Sequence, residues 1–207
     1  MESQTVKPSP AATASAPGRR KAAVRTQLDP ERWIEAAIDV LAREGISGLR
    51  VEVIAKRCGV TKGSFYWHFR DRQALLDAVL QHWKAGRIRD IEKTTSGISG
   101  QAREQLQYVI EVYGASRNRK GMSIELAIRD WARHDAGAAA VVEEVDLYRL
   151  ECTRQLFIAT GMSDAEAKSR SLLLYACVFG LSLMHYDRFD DALPGLKKRI
   201  VERIVAE

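Results

Sequence analysis

The stretch VEVIAKRCGVTKGSFYWHFRDRQALL, residues 51–76, decides the fold of this chain. It predicts two short helices joined by a tight turn, with a third helix following. The first of these helices carries one apolar stripe at helical spacing: Val51, Ile54, Ala55 and Cys58. Gly59 comes directly after it, and a glycine past a helix end can take the left-handed backbone conformation. We therefore expect the first helix to stop at Cys58.

The second helix of the pair is expected to begin at Thr61, whose hydroxyl can cap the free N–H groups of the first turn. Val60 precedes it and can close over Phe65 as a hydrophobic staple. A connection of only three residues makes the two helices cross steeply. Phe65 and Phe69 are four residues apart, so both face inward and leave the polar and aromatic residues between them outside. This arrangement is typical of proteins that read duplex DNA.

Gly63 stands in the first turn of the second helix. Glycine destabilises a helix by about 0.8–1 kcal/mol relative to alanine. Its presence there suggests either tight packing or the close approach of another molecule. The simplest reason is that the helix N-terminus comes close to a phosphate or a base edge.

A family resemblance rests on these residues. The helix-turn-helix resembles that of the tetracycline-repressor (TetR) family of transcriptional regulators in Gly59, Tyr66, His68, Phe69, Arg70, Asp71, Arg72 and Leu75. Further matches to the family's first two helices are Ala36, Ala37, Leu41, Glu44, Gly45, Ile54 and Ala55. The resemblance covers roughly residues 28–83, and beyond them only chain length and the helical pattern agree.

The resemblance implies DNA contacts at specific residues. Tyr66 would contact the DNA backbone and a thymine methyl group, and His68 would meet a phosphate. Arg72 stands where the family usually has lysine, and its guanidinium can still hold a phosphate. The predicted DNA-contacting set is Arg50, Thr61, Lys62, Gly63, Ser64, Tyr66, Trp67, His68 and Arg72. Within it, the sequence leaves open whether Trp67 touches DNA or covers its own helix.

The helix before this motif is predicted to be scaffold. Its start combines a hydrophobic staple, an acidic cap and a proline at the first helical position, in Leu28, Asp29, Pro30 and Trp33. Its core stripe is Ile34, Ala37, Ile38 and Leu41, and Gly45 ends it.

Residues 1–26 differ sharply in composition from the rest, being rich in Ala, Pro, Ser and Thr and then basic at Arg19, Arg20, Lys21 and Arg25. Such a segment cannot bury enough apolar surface to order itself, and it lacks the apolar core of a signal peptide. Two hypotheses stay open: an arm that contacts phosphates or the minor groove, and a solvated tail.

After Asp71 the pattern is helical nearly throughout, which predicts an all-α protein. A long fourth helix should reach Lys93, followed by a Ser-, Thr- and Gly-rich loop at 94–100. Further helices are expected at about 101–118, 121–133, 136–160, 163–188 and 192–206. We predict three regions: the arm at 1–26, a helix-turn-helix domain at 27–87 with its motif at about 50–69, and a helical effector-binding and dimerisation domain at 88–207.

The segment LLLYACVFGLSLMHY, residues 172–186, is apolar almost all the way round. It is shorter than the roughly 20 apolar residues that cross a bilayer, so burial on several sides of a helix is indicated. A subunit interface is one explanation and an ordinary monomer core is the other. The resemblance implies a dimer through the last two helices, and a two-fold dimer predicts a palindromic operator.

The resemblance also implies a small-molecule effector that binds within helices five to eight and weakens operator binding. Candidate lining residues are Tyr113, Trp131, His134, Tyr148, Tyr175, Phe179 and Met184. Plain core packing explains aromatic and methionine residues at helical spacing as well. The polar patch at 129–135 fits either an effector site or a solvated helix end.

Other functional classes find little support in the sequence. It has no G-x-G-x-x-G, P-loop, G-x-S-x-G or H-E-x-x-H motif, so we predict neither an enzyme nor a bound cofactor. The net charge of +5 suits a polyanionic partner, and three scattered cysteines suit a reducing cytoplasm. The alternative is a metal- or redox-responsive sensor using His134, Asp135 and His185, or Cys152 and Cys177.

Overall fold

The computed structural model describes residues 29–96, 102–114, 119–186 and 188–206. Within these ranges the chain is helical and has no β-strand, as the sequence predicts. The helices are α1 (Pro30–Glu44), α2 (Val51–Arg57), α3 (Lys62–Phe65), α4 (Arg72–Thr95), α5 (Ala102–Gly114), α6 (Arg119–Ala132), α7 (Ala136–Ala159), α8 (Asp164–Leu183) and α9 (Leu193–Val205), with a 3-10 turn at Ile46–Gly48. The N-terminal arm lies outside the described residues.

Helix α1 begins and ends as its sequence indicates. The Asp29 carboxylate accepts a hydrogen bond from the Arg32 backbone N–H at 2.8 Å, and Pro30 occupies the first helical position. Gly45 ends the helix with a φ of 68°. The buried face consists of Trp33, Ala37, Val40 and Leu41, while the predicted Ile34 and Ile38 are only partly buried beside it.

The turn between α2 and α3 is set by Gly59, which has a φ of 66°. The Gly59 N–H donates to the Lys56 carbonyl at 3.2 Å, and the Val60 N–H donates to the Ala55 carbonyl at 3.0 Å. This pair of bonds is the Schellman motif, which uses the orphan carbonyls of the last helical turn. The predicted left-handed glycine is therefore confirmed.

Helix α3 is shorter than predicted, and its predicted cap is wrong. The Thr61 backbone is extended at the N-cap position, but its hydroxyl makes no capping hydrogen bond. Instead the Ser64 hydroxyl donates to the Thr61 carbonyl at 2.7 Å, which ties the first turn from inside the helix. Regular helix ends at Phe65, and the backbone N–H groups of His68 and Phe69 both donate to the Phe65 carbonyl at 3.0 Å.

The long helix α4 joins the N-terminal helices to the rest of the molecule. Asp71 caps it by accepting from the Ala74 N–H at 2.9 Å. One apolar cluster runs from the α1–α3 core along α4 to residues of α6 and α7, including Ile128, Trp131 and Val145. The predicted loop at 94–100 starts too early, because the hydroxyls of Thr94 and Thr95 bond to carbonyls of the preceding turn and allow both residues to stay helical.

In the C-terminal part, α7 lies at the centre and packs against α4, α5, α6 and α8. Helix α6 packs on α1 as well as on α7, and α9 packs on α5 and α8. Helix α8 ends at Leu183, short of the predicted 188, because Met184 takes an extended backbone. Each helix in the described ranges is too short or too polar to span a bilayer.

Part of the apolar segment 172–186 is not buried within the single chain, contrary to a monomer-core interpretation. Leu174, Tyr175 and Val178 are buried, but large apolar side chains on the other side of the segment are exposed. These are Leu172, Leu173, Leu183 and Met184, each more than half exposed. The segment therefore has one side covered by this chain and one side uncovered.

Phe65 is the residue on which the position of α3 depends, because its fully buried ring contacts both Trp33 and Phe69. We predict that Phe65→Ala lowers the free energy of unfolding by about 3–5 kcal/mol through the cavity it leaves. Urea denaturation at fixed protein concentration measures this.

The matched control is Trp67→Ala, two residues away on a side chain that is 77% exposed. It should change the free energy of unfolding by about 0.5 kcal/mol or less. Equal losses for the two variants would contradict the inward placement of Phe65.

Candidate functional site

The outer surface of α3 and its following turn carries two large exposed aromatic rings. The buried Phe65 ring packs edge-on against Trp33 at 5.4 Å and stacks on Phe69 at 5.4 Å. With that side chain directed inward, the next two residues point away from the core. Tyr66 is 55% exposed and Trp67 is 77% exposed. The predicted outward placement of Tyr66 is confirmed.

Lys62, at the start of the same surface, is exposed but paired. Its ammonium donates to the Glu52 carboxylate of α2, and both side chains remain more than half exposed. This hydrogen bond is the main cause of two pKa shifts: it lowers the pKa of Glu52 and raises the pKa of Lys62. The ion pair therefore stays charged on both sides near neutral pH.

Between Lys62 and the two aromatic rings lie two small residues, Gly63 and Ser64. The Ser64 hydroxyl donates a hydrogen bond to the Thr61 carbonyl. A Cβ at Gly63 would meet only the Thr61 hydroxyl, at 3.8 Å, which is ordinary van der Waals contact. The fold thus has room for a side chain at position 63. Packing within the described chain therefore does not explain why this residue is glycine.

His68 is half-buried, and its Nε2 atom is buried without a hydrogen-bond partner among the described residues. A phosphate contact by this side chain would therefore need its Nδ1 atom or another rotamer. The phosphate role that the family resemblance implies for His68 stays a prediction.

Arg72 has a role that the sequence did not indicate. Its Nε donates to the Leu49 carbonyl at 2.7 Å, and a second guanidinium nitrogen donates to the Ile46 carbonyl at 3.3 Å. These bonds attach the start of α4 to the 3-10 turn before α2. Part of the guanidinium expected to hold a phosphate is thus used inside the domain, while Arg50 at the N-cap of α2 is exposed.

The predicted effector-lining residues occupy different environments. Trp131 lies in the main apolar cluster, and the exposed Tyr148 hydroxyl donates to the Glu92 carboxylate at 3.1 Å. His134 and Met184 are exposed. Tyr113 lies outside the residues whose side chains are described. Among the predicted lining residues whose side chains are described, Tyr175 and Phe179 lie together, and both rings face the guanidinium of Arg149.

That place is a largely buried cluster of two arginines and two carboxylates, here called the charge quartet: Glu125, Arg129, Asp146 and Arg149. Arg129 donates to both Asp146 oxygens, at 2.6 and 2.8 Å, and to Glu125 Oε1 at 2.8 and 3.0 Å. Arg149 donates to Glu125 at 3.4 Å and to Asp146 at 3.3 Å. The quartet thereby joins α6 to α7, and Phe179 of α8 lies against Arg129 at 4.0 Å.

The quartet is charge-balanced but incompletely bonded. Glu125 and Arg149 are each 3% exposed, and the Glu125 Oε2 and Arg149 Nε atoms are buried without a partner among the described residues. Removing one member of such a buried group is costly, because the others keep unpaired charge. Beside it, an open depression of about 360 Å³ lies between α6 and α7, lined by Arg129, Ala132, Arg133, Ala139, Val142, Glu143, Asp146 and Leu147.

Sequence reasoning found one quartet member, Arg129, as part of the polar patch at 129–135. It missed the other three. The local signal was present, since Glu125 and Arg129 are four apart and Asp146 and Arg149 are three apart on their helices. Nothing in the sequence joined the two pairs.

The metal and redox alternatives receive no support from the described residues. Among them, no group of three or more His, Cys, Asp or Glu side chains is arranged to hold a metal ion. The cysteines are free and half-buried, and burial raises the pKa of the Cys58 and Cys177 thiols. A raised pKa leaves less thiolate, which is the form that reacts.

Comparisons with known proteins agree with the helix-turn-helix geometry. The sequence profile described as "Bacterial regulatory proteins, tetR family" matches residues 34–79. The chain is 45% identical over 56 residues to the class A tetracycline repressor protein from transposon 1721 of Escherichia coli, covering 27% of this chain and 26% of that protein. It is 39% identical over 61 residues to the regulator SrpR of Pseudomonas putida, covering 30% and 29%. The chain thus spans under a third of these relatives.

Solved structures extend the likeness to the whole fold. A transcriptional regulator from Rhodococcus sp. Rha1 superimposes with a TM-score of 0.68 at 21% identity, covering 86% of this chain and 94% of that one. The regulator FadR from Bacillus subtilis, in complex with stearoyl-CoA, superimposes with a TM-score of 0.64 at 19% identity, covering 86% and 98%. At these identities the likeness concerns the fold.

Three findings point to the same helix-turn-helix: the family match at residues 34–79, the left-handed Gly59 turn and the outward Tyr66. The helical C-terminal part resembles that of the solved structures. Residues 34–79 match the tetR family of bacterial regulatory proteins and form a helix-turn-helix of that type, and the described chain shares its overall fold with solved transcriptional regulators.

Proposed function

We propose that this chain is a homodimeric transcriptional repressor that binds a palindromic DNA operator and is released from it by a small-molecule effector. The helix-turn-helix domain at 27–87 would contact DNA, and residues 88–207 would bind the effector and form the dimer. The observation that carries this proposal is the exposed surface of α3, with Tyr66, Trp67 and Lys62 outside and Phe65 inside.

The chemistry of that surface suits duplex DNA. Tyrosine and tryptophan offer apolar contact to thymine methyl groups and hydrogen-bond donors to phosphates, and lysine is a donor for guanine. Helix α2 and the neighbouring turns carry further exposed cationic side chains, of which Arg57 pairs with Glu44 and Arg70 with Asp71: Arg50, Lys56, Arg57 and Arg70. These groups are the residue types that supply phosphate contacts and a strong salt dependence of binding.

Tyr66→Ala tests the DNA-contacting surface. We expect it to weaken binding to genomic fragments retained by the wild-type protein by about 1–3 kcal/mol per half-site, because each subunit of a dimer loses one contact. Lys62→Ala should also weaken it. Gel-shift titration at fixed salt measures the loss, and thermal unfolding should stay nearly unchanged.

The matched control is Tyr108→Ala, which removes a tyrosine of similar exposure, 46%, from α5. It should leave DNA binding unchanged. If Tyr66→Ala unfolds the protein, or binds the fragments as well as the wild type does, the proposed surface is wrong.

The dimer proposal is supported by the uncovered side of α8. Leu172 and Leu173 are 61% and 55% exposed in the single chain, and Ala176 beside them is exposed as well. Helix α9 packs next to α8 and carries the exposed Ile200. An apolar helix face of this kind is stable in water when a second copy covers it.

Leu172→Glu tests this interface, since burying a carboxylate between two subunits carries a large desolvation cost. We expect sedimentation equilibrium to give twice the 23.2 kDa chain mass for the wild type and the single-chain mass for the variant. Leu147→Glu is the control, because Leu147 is also 61% exposed but lies on α7. Dimers in both variants would contradict the proposed interface.

A route from effector to operator is supported by the contacts of α6. Helix α6 packs on α1 of the DNA-binding domain, where Lys120 pairs with Asp39 at 2.9 Å, and the charge quartet ties it to α7. An effector that shifts α6 against α7 would therefore move α1 and the recognition surface. By linkage, operator DNA would then weaken effector binding by the same factor.

A further inference from the structure

The ion pair between Glu52 and Lys62 places a negative charge on the surface that is proposed to contact DNA. Glu52 is the only acidic residue in α2 and α3. Its side chain is 61% exposed and that of Lys62 is 52% exposed. An ion pair this open to water contributes little to the stability of a fold. The pair is therefore not explained by the needs of the helix-turn-helix itself.

A carboxylate at this position also opposes general affinity for DNA. It repels the phosphate backbone. It also pairs with the Lys62 ammonium, which could otherwise bind a phosphate. Aspartate and glutamate do have one favourable partner in the major groove, the N4 amino group of cytosine. An acidic residue among recognition residues thus lowers affinity for most sequences and raises it for those that present this amino group.

We propose that Glu52 and Lys62 act together as a specificity-determining pair that reads a G·C base pair in each operator half-site. The Lys62 ammonium would donate to guanine O6 or N7, and the Glu52 carboxylate would accept from cytosine N4 of the same base pair. These groups are neighbours on the major-groove edge of that pair. The inference rests on the proposed DNA-binding function and adds a base preference to it.

The surroundings of the pair fit this role. The lysine side chain is a flexible point charge, so its ammonium needs a partner to hold it at one place, and Glu52 supplies one from the neighbouring helix. Gly63 follows Lys62 without a side chain, although the nearest atom to an added Cβ would be 3.8 Å away. The absence of a side chain beside the pair would let DNA approach closely, and packing of the free protein does not require it.

The test starts from a pool of random-sequence duplexes, from which the wild-type protein enriches its preferred site. Every position of the enriched half-site is then changed symmetrically to the other three base pairs, and binding is measured by gel shift. We expect one position at which the wild type prefers G·C by about 5- to 150-fold per half-site, the range of one good base contact.

In Glu52→Ala this preference should fall below about threefold, while affinity for unselected duplexes rises because a negative charge is gone. In Glu52→Gln the preference at that position should shift toward A·T, since an amide matches adenine N6 and N7. Glu104→Ala removes an exposed carboxylate from α5 and should change neither quantity. Thermal unfolding of each variant shows that the fold is kept.

Three results overturn the proposal. The first is a wild-type site without a G·C preference at any half-site position. The second is a Glu52→Ala variant with an unchanged preference. The third is a Glu52→Ala variant that loses affinity equally on selected and unselected duplexes, which would make Glu52 a support for the fold. A wild-type protein that enriches no sequence would instead refute the proposed function together with this inference, so the two failures are distinguishable.

Discussion

The burial of Phe65 is the constraint on which the proposed DNA-contacting surface depends. Its ring is fully enclosed between Trp33 of α1 and Phe69 at the end of the recognition turn, with centroids 5.4 Å away on both sides. Because α3 is only one turn long, a single inward side chain fixes the direction of all the others. The Gly59 turn sets where this helix begins, and the aromatic cluster sets how it is rotated. Together they leave Lys62, Tyr66 and Trp67 in water.

The same packing connects the surface to the rest of the chain. Arg72 attaches the start of α4 to the carbonyls at 46 and 49, and the apolar cluster continues along α4 into α6 and α7. The predicted boundary at residue 87 falls within this continuous helix, Arg72–Thr95, so the division into two domains is proposed on function. Helix α6 provides a second connection through α1. A change in the C-terminal part thus has two physical routes to the recognition surface.

Local features were predictable from the sequence and long-range polar contacts were not. The Asp29 cap, the Gly45 and Gly59 helix ends and the inward Phe65 each follow from residues within one or two turns, which is the range over which spacing and backbone preference act. Residues ten or more positions apart are joined by the α6–α7 bonds of the charge quartet, the bonds of Arg72 and the Glu52–Lys62 pair, and only the folded chain brings them together. Thr61 was a reasonable cap by residue type, but the Ser64 hydroxyl bonds to its carbonyl instead.

Each chain presents one outward α3, and we propose that a symmetric pair of these helices reads DNA. The most direct measurement is a hydroxyl-radical footprint of the purified protein on a genomic fragment that it retains. A symmetric dimer should give two protected sequences related by two-fold symmetry, with centres about 10–10.5 base pairs apart or a multiple of that spacing. A single protected stretch without an inverted repeat, or uniform protection along the fragment, would contradict it.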